Sequence, residues 1–346
     1  MNLLYRLFLI LRFLGHDVGY ALSYIIESII LILFVSISLI IMIYSFRKYM
    51  ARVQMRIGPN RVGRFGSLQL IADALKLAGK EVIFPKERDD LPYKVAPFLV
   101  FFGLILSFAF LPYGDLAWFG NLTITYSSVS IIFIFAIIAI MPIGEVLAGI
   151  SSRNKYALMG SLRAVAKDIS FEIPMMLSVI AIIMMASART ATALNFQSVV
   201  ATEILPYGIL EPLGLIVFFI AMVARASYSP FDMGESDSEL VSGYSTEYTG
   251  MRFGIFYMGL FGSIFLGSII VSLLYLGGFN GPYSGYVGFI WLMIKATILV
   301  IISFTVWLTM PRIRIDKLVN SGWKYLLPIS FINLVLAGVL TLGFGW

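Results

Sequence analysis

The sequence predicts an all-α integral membrane protein, a bundle of about eight transmembrane helices forming a single polytopic domain over residues 1–346. Three observations predict it. Only 13% of residues are charged and mean hydropathy is +0.93, against roughly 25% charged in a soluble domain. Eight apolar stretches approach the ~20 residues that cross a bilayer. Lys and Arg crowd into alternate connections between those stretches and are nearly missing from the others.

At the N-terminus, "LLYRLFLILRFLG" places Arg6 and Arg12 in an apolar run, too short and too charged for a span and without the small-residue cleavage site of a signal peptide. It reads as an interfacial amphipathic helix. The spans follow at Tyr24–Tyr44, Val95–Leu111, Val129–Leu147, Ala157–Ala186, Pro212–Ala226, Phe253–Leu276, Val287–Leu308 and Tyr325–Phe344; the second and fifth are short. Between spans one and two lie eleven Lys/Arg, from Arg47 to Lys94. Arg153 and Lys155 follow span three, and Arg312, Arg314, Lys317 and Lys324 follow span seven. Pro112–Ser128 and Gly277–Tyr286 hold none. The odd-to-even connections therefore face the positive-inside compartment, with both chain ends on the other side.

The first inner connection contains a turn at Gly58-Pro59-Asn60, then a helical pattern. Ile71, Leu75, Ala78 and Val82 form an apolar stripe, and Asp73, Lys76 and Lys80 a polar one, so an amphipathic interfacial helix is expected here. Arg47–Arg64 holds six bases and no acid; Ser229–Tyr248 holds five acids (Asp232, Glu235, Asp237, Glu239, Glu247) and no base. Either the two loops are solvated and pair loosely, or they line one polar cavity with acids close enough to shift one another's pKa. Glu235 and Glu239, four apart, would share a helical face.

Span four carries Arg163, Lys167, Asp168 and Glu172 in thirty residues, about 45 Å of helix. Pro174 removes the donor to the Ser170 carbonyl, so a kink is expected beside Glu172. Charges at membrane depth mark proton or substrate paths, and Glu145 and Lys295 are similar anomalies, though each could snorkel to an interface. Glu172 is expected either to titrate, its pKa raised by burial and by Asp168, or to pair with Arg163 or Lys167.

With no cysteine and one histidine, His16, the chain can hold neither a disulfide framework, a thiolate-ligated iron–sulfur cluster nor a bis-His haem. No metal site is expected. No Gly-rich dinucleotide fold is present, nothing suggests a nucleic-acid partner, and no internal repeat supports an inverted-repeat transporter.

Four stretches together resemble a known family. "RVQMRIGPNRVGRFGSLQLIADALKLAGKE", "NKYALMGSLRAVAKDISFEIP", "SPFDMGESDSELVSGYSTEYTGMRF" and "MPRIRIDKLVNSGWKYLLPIS" occur in order from Arg52 to Ser330. They are similar to the signatures of the quinone-site membrane subunit of respiratory complex I, NADH:quinone oxidoreductase (subunit 1 in mitochondria, the H subunit in bacteria). The resemblance implies a core membrane subunit, not catalytic alone. It would form the membrane part of the quinone channel and link quinone reduction to proton translocation. Ubiquinone would be the substrate, with NADH, FMN and iron–sulfur clusters on partner subunits. The partners would be other complex I subunits and the lipid bilayer.

Carried onto this chain, the resemblance places Arg52, Gln54, Arg56, Asp73, Asp232, Arg312 and Arg314 at the quinone channel or its mouth. It places Glu172, Glu235, Asp237 and Glu239 on the proton path, and matches Arg163 and Asp316 as well. Asp237 stands where the family usually has Glu. The family commonly has Glu at Phe46 and at Leu260, and Glu-Thr-Asn-Arg at Arg225–Tyr228, while Glu145, Asp168 and Arg225 are extra, so the polar path is expected to be rerouted. A component of a membrane-bound hydrogenase-type ion pump shares the fold, but the "GPNRVG" form favours complex I. Heavy use of Ile, Phe and Tyr, and no transit peptide, suit the mitochondrial inner membrane; the bacterial inner membrane is the alternative.

Overall fold

The computed structural model describes residues 16–116, 120–203 and 205–344. Its helices are α1 His16–Val53, α2 Gln69–Ala78, α3 Asp90–Ala109, α4 Ser130–Ile138, α5 Ile140–Ser151, α6 Lys155–Ser187 and α7 Phe196–Thr202. They continue with α8 Tyr207–Leu210, α9 Pro212–Arg225, α10 Asp237–Leu240, α11 Met251–Tyr275, α12 Ser284–Thr309, α13 Ile315–Ser321 and α14 Leu327–Phe344. The two-residue strands β1 Asp115–Leu116 and β2 Gly120–Asn121 pair antiparallel in the connection after α3.

Among the described residues seven helical stretches are long and apolar enough to cross a membrane, α4 with α5 making one and α13 to α14 another. The fifth of the eight expected spans is the short one, Pro212–Arg225. At 1.5 Å per residue its 14 residues reach about 21 Å, less than a ~30 Å hydrocarbon core. Pro206 and Pro212 cut the helical run before it into α8 and the start of α9, proline being suited to a first turn. The amphipathic helix expected around Arg6 and Arg12 lies outside the described residues.

Four prolines inside helices explain how the bundle is joined. Each lacks the N–H that would bond the carbonyl four residues back, and a neighbour meets that carbonyl or the helix changes form. Pro97 frees the Tyr93 carbonyl, which accepts from the Tyr248 hydroxyl at 3.1 Å. Pro142 frees that of Ile138, which accepts from the Arg225 guanidinium, and the helix breaks between α4 and α5 at this point. Pro174 frees that of Ser170; there Gly322 approaches so closely that a Cβ would lie 2.7 Å from the oxygen. Before Pro328 the chain winds as a π-helix over Gly322–Leu326, a form that absorbs an irregular ladder. The expected interruption at Pro174 does not end α6, which stays helical from Lys155 to Ser187.

The four odd-to-even connections meet at one end of the bundle. The Asp89 amide donates to the Ser151 carbonyl (3.0 Å) and Ile83 to the Thr249 hydroxyl (3.0 Å). Asn154 donates to the Glu247 carboxylate (2.6 Å), and Ile313 to the Pro230 carbonyl (3.2 Å). The Arg-rich and acidic loops therefore lie on the same end, as the charge pattern predicts. At the opposite end, Ile131 bonds Leu194 (3.1 Å) and Asn280 bonds Val200 (2.8 Å).

In α2 the face packed against α1 and α11 is Leu70, Asp73, Ala74 and Leu77. The apolar stripe of Ile71 and Leu75 is exposed on this chain, and so is available to lipid or another subunit. Both faces of α2 are apolar, and periodicity alone cannot say which one meets the bundle.

Candidate functional site

The expected channel residues separate into several places. Asp73 borders one cavity. Its carboxylate accepts from Arg47 and, at 3.1 Å, from Gln69. Burial raises the Asp73 pKa, but the bonds from Arg47 and Gln69 outweigh it and hold the carboxyl below its usual range. The pair borders a cavity of about 240 Å³ between α1, α2 and α11, walled by Ile40, Ile43, Leu77, Met251 and Tyr257.

Gln54 and Arg56 sit instead on the exposed turn after α1, where Arg56 donates to Gln54 at 2.8 Å, flanked by Met55 at 95% and Ile57 at 84% exposure. Arg52 lies at the end of a different cleft, between α1 and α12. No carboxylate of the described residues forms an ion pair with Arg52, Arg56 or Arg61; the acidic loop pairs through α6, where Arg163 holds Glu239.

That hydrogen bond is the main cause of a lowered Glu239 pKa, with the charges of Arg312, Arg163 and Arg314 adding to it against slight burial. Arg312 and Arg314 thus stand over the acidic loop. Glu235 and Glu239 do not share a helical face: α10 begins only at Asp237, and Glu235 accepts from the buried Tyr244 hydroxyl at 3.2 Å. The Asp237 side chain lies outside the described residues. Burial, then Glu235, Glu145 and Asp232, push the Tyr244 pKa well above its ordinary value, which places this phenol between the loop acids and the membrane. Two glycines allow the approach. A Cβ on Gly160 of α6 would lie 2.7 Å from the Gly243 Cα, and Gly243, at φ 53°, would bring one 1.6 Å from the Gly234 carbonyl.

Near Tyr244, α5, α6 and α9 enclose a buried polar cluster. Lys167 is 0% exposed; it lies 3.2 Å from Asp168 and donates to the Ser227 hydroxyl. Arg225 lies 3.8 Å from Glu172 while bonding the Ile138 carbonyl. Glu145, 8% exposed, interacts electrostatically with Asp168, Lys167 and Arg225, and its Oε2 has no hydrogen-bond partner among the described residues. Glu172 is therefore paired, but with Arg225 rather than Arg163 or Lys167.

The sequence marked the individual charges of this cluster, because they interrupt apolar runs. It did not mark Arg225 as the partner of Glu172, or Tyr244 as the link, because both come from elements far away in the chain. Tyr257 of α11 is a second link: it interacts with Arg47, Glu235 and Asp73, and so stands between the cavity and the loop acids.

Two of the positions where the resemblance leads to the expectation of charge, Phe46 and Tyr228, are aromatic. Phe46 stacks on Trp307 at 4.0 Å and Tyr228 packs on the other side of it at 3.7 Å. Phe261, beside Leu260, touches Phe46 and Tyr228 at 5.5 and 5.4 Å.

Comparison with known proteins agrees with the motifs. A family model described as NADH dehydrogenase matches residues 26–338. Two proteins from different strains of Dehalococcoides mccartyi, each named as the H subunit of NADH-quinone oxidoreductase, are 39% identical over 310 residues, covering 89% of this chain and 84% of theirs. The described architecture, the ordered signatures and these matches place the chain in the NADH dehydrogenase family, with H subunits of NADH-quinone oxidoreductase among its relatives.

Proposed function

We propose that the chain is the membrane subunit that admits quinone to a proton-translocating NADH-quinone oxidoreductase and converts quinone chemistry into proton movement. One observation carries the reading. A series of titratable groups, each within electrostatic reach of the next, leads from the apolar cavity at Arg47 and Asp73, through Tyr257, Glu235 and Tyr244, to Glu145, Lys167–Asp168 and Arg225–Glu172.

The cavity fits a hydrophobic amphiphile, being apolar with a few polar groups at one edge. In the cluster two cations face three carboxyls, so charge is balanced when one carboxyl holds a proton. A change of charge at Glu235 then moves that proton by electrostatics, and the proton need not travel the whole line. Apolar packing at Phe46, Tyr228 and Leu260 stands where charges are common in the family, and Glu145, Asp168 and Arg225 take their place. The chemistry with NADH, flavin and iron–sulfur clusters is assigned to partner subunits of complex I, with ubiquinone or a related quinone as substrate.

The relatives are bacterial, which supports a multi-pass protein of the bacterial inner membrane; the mitochondrial inner membrane rests on features of the sequence alone. Filling the cavity tests the reading. Ala74→Phe should depress quinone reduction by the intact complex while leaving NADH oxidation by an artificial acceptor unchanged. Equal loss of both, or of neither, would count against a quinone route here. Hydrogenase activity of the intact assembly in place of NADH:quinone activity would favour the related ion pumps.

A further inference from the structure

A second cleft, of about 530 Å³, lies between α1 and α12 on another side of α1 from the cavity at Asp73. The two helices are held together at both ends. Phe34 meets Phe289 at 5.8 Å; near the basic end Phe46 stacks on Trp307 and the Tyr49 hydroxyl reaches that of Thr305 at 2.8 Å. Between these points they part. One wall is a helical stripe of α1, Ser38, Ile41, Ser45, Lys48 and Arg52, and the other includes Thr297 and Ile301 of α12.

Ser45 donates to the Ile41 carbonyl at 2.8 Å and Thr297 to that of Met293 at 2.7 Å, so the walls present mostly hydrocarbon. The basic end is different. Lys48 rests 5.8 Å over the Tyr44 ring, Arg52 is exposed, and neither forms an ion pair with a carboxylate of the described residues. From Ser38 to Arg52 the stripe is about 21 Å long, somewhat more than the ~15 Å of one leaflet's hydrocarbon.

We propose that this cleft binds one anionic phospholipid from the leaflet at the basic end, its acyl chain between α1 and α12 and its phosphate on Lys48 and Arg52. Charge complementarity selects the occupant. A quinone is neutral and leaves the two cations unanswered. A phosphate diester answers both, Arg through its fork and Lys as a point charge, and basic side chains at this level attract anionic lipid. The lipid also seals the side of α1 and holds the Phe46–Trp307 packing against the bilayer.

The test uses the intact complex in phosphatidylcholine nanodiscs with a trace of phosphatidylglycerol carrying a photoreactive acyl chain. Expected are crosslinks within residues 38–45 and 293–301, competed by unlabelled phosphatidylglycerol and not by phosphatidylcholine. Lys48→Ala should reduce them about fivefold; Lys48→Arg should retain them. Ser45→Phe, which fills the cleft and leaves the charges in place, should abolish them in a complex that still assembles on a native gel. Equal labelling by photoreactive phosphatidylcholine, unchanged labelling in Lys48→Ala, competition by a quinone, or no lipid label in the assembled complex would each overturn the proposal.

Discussion

Replacing Glu172 by Gln keeps the shape of the side chain and removes its charge from Arg225. The pair is 3.8 Å apart, with 26% of the Glu172 and 13% of the Arg225 side chain exposed. At an effective dielectric of about 20, two unit charges at that distance attract by about 4 kcal/mol. Desolvation offsets part of this, leaving a coupling of about 1–3 kcal/mol. Arg225 cannot lose its proton, so Glu172→Gln leaves its charge without this partner and upsets the balance of two cations and three carboxyls through which the proton moves. If that step limits turnover, the same energy is a slowing of about 5- to 150-fold. The assay is NADH:quinone turnover and proton pumping by the intact complex in sealed vesicles, with the complex quantified by native gel. Turnover and pumping should fall together. Arg225→Gln in the same protein should restore part of both, because it removes the unanswered cation. Normal turnover and a normal proton-to-electron ratio in Glu172→Gln would refute the reasoning, as would a double variant that merely adds the two single losses.

Three further outcomes follow from the geometry. Asp73→Asn should raise the KM for quinone with little change in kcat. The Asp73 carboxyl has its pKa depressed below the ordinary 3.8, so its pairing with Arg47 is present above that value and lost only as pH falls through the depressed one; the wild-type KM should therefore be flat from pH 5 to 8 as measured by steady-state kinetics. Gly243→Ala places a Cβ 1.6 Å from the Gly234 carbonyl, a clash beyond the ~1–3 kcal/mol of ordinary overpacking, and should lower the amount of assembled complex on a native gel; Gly285→Ala, with nothing within 4 Å of its Cβ, should not. The chain has no cysteine, so single substitutions report topology cleanly: Met55→Cys should react with a membrane-impermeant maleimide only after inner-face exposure, and Tyr283→Cys, 84% exposed at the other end, in intact right-side-out vesicles.

The spans and their pairing into ends were legible in the sequence because both follow from summed properties, apolar length and Lys/Arg balance. The clustering of Arg163, Lys167, Asp168 and Glu172 on one helix was legible for the same reason, since each charge stands out against an apolar run. Partners were not. Arg225 reaches Glu172 from another helix, and it is placed by a carbonyl that Pro142 frees on α4. The Gln54–Arg56 turn and the Asp73 cavity look like one motif in the chain, yet α1 and α2 send them to different surfaces. Which side of α2 meets the bundle was not legible, because the helix is apolar on two sides and burial of Leu70 rather than Ile71 depends on the α11 surface it meets. The missing family charges at Phe46 and Tyr228 read as gaps in the sequence; in the structure they are two faces of one Trp307 stack.

The central claim is that quinone enters beside Asp73 and not elsewhere on the bundle. A photoreactive short-chain quinone, crosslinked to the intact complex and mapped by peptide sequencing, tests it most directly. The account predicts label on α1 near Ile43, α2 near Leu77 and α11 near Tyr257, reduced by a competing quinone and by Ala74→Phe. Label confined to the α1–α12 cleft around Ile41 and Thr297, or label on α2 that Ala74→Phe leaves unchanged, would contradict it.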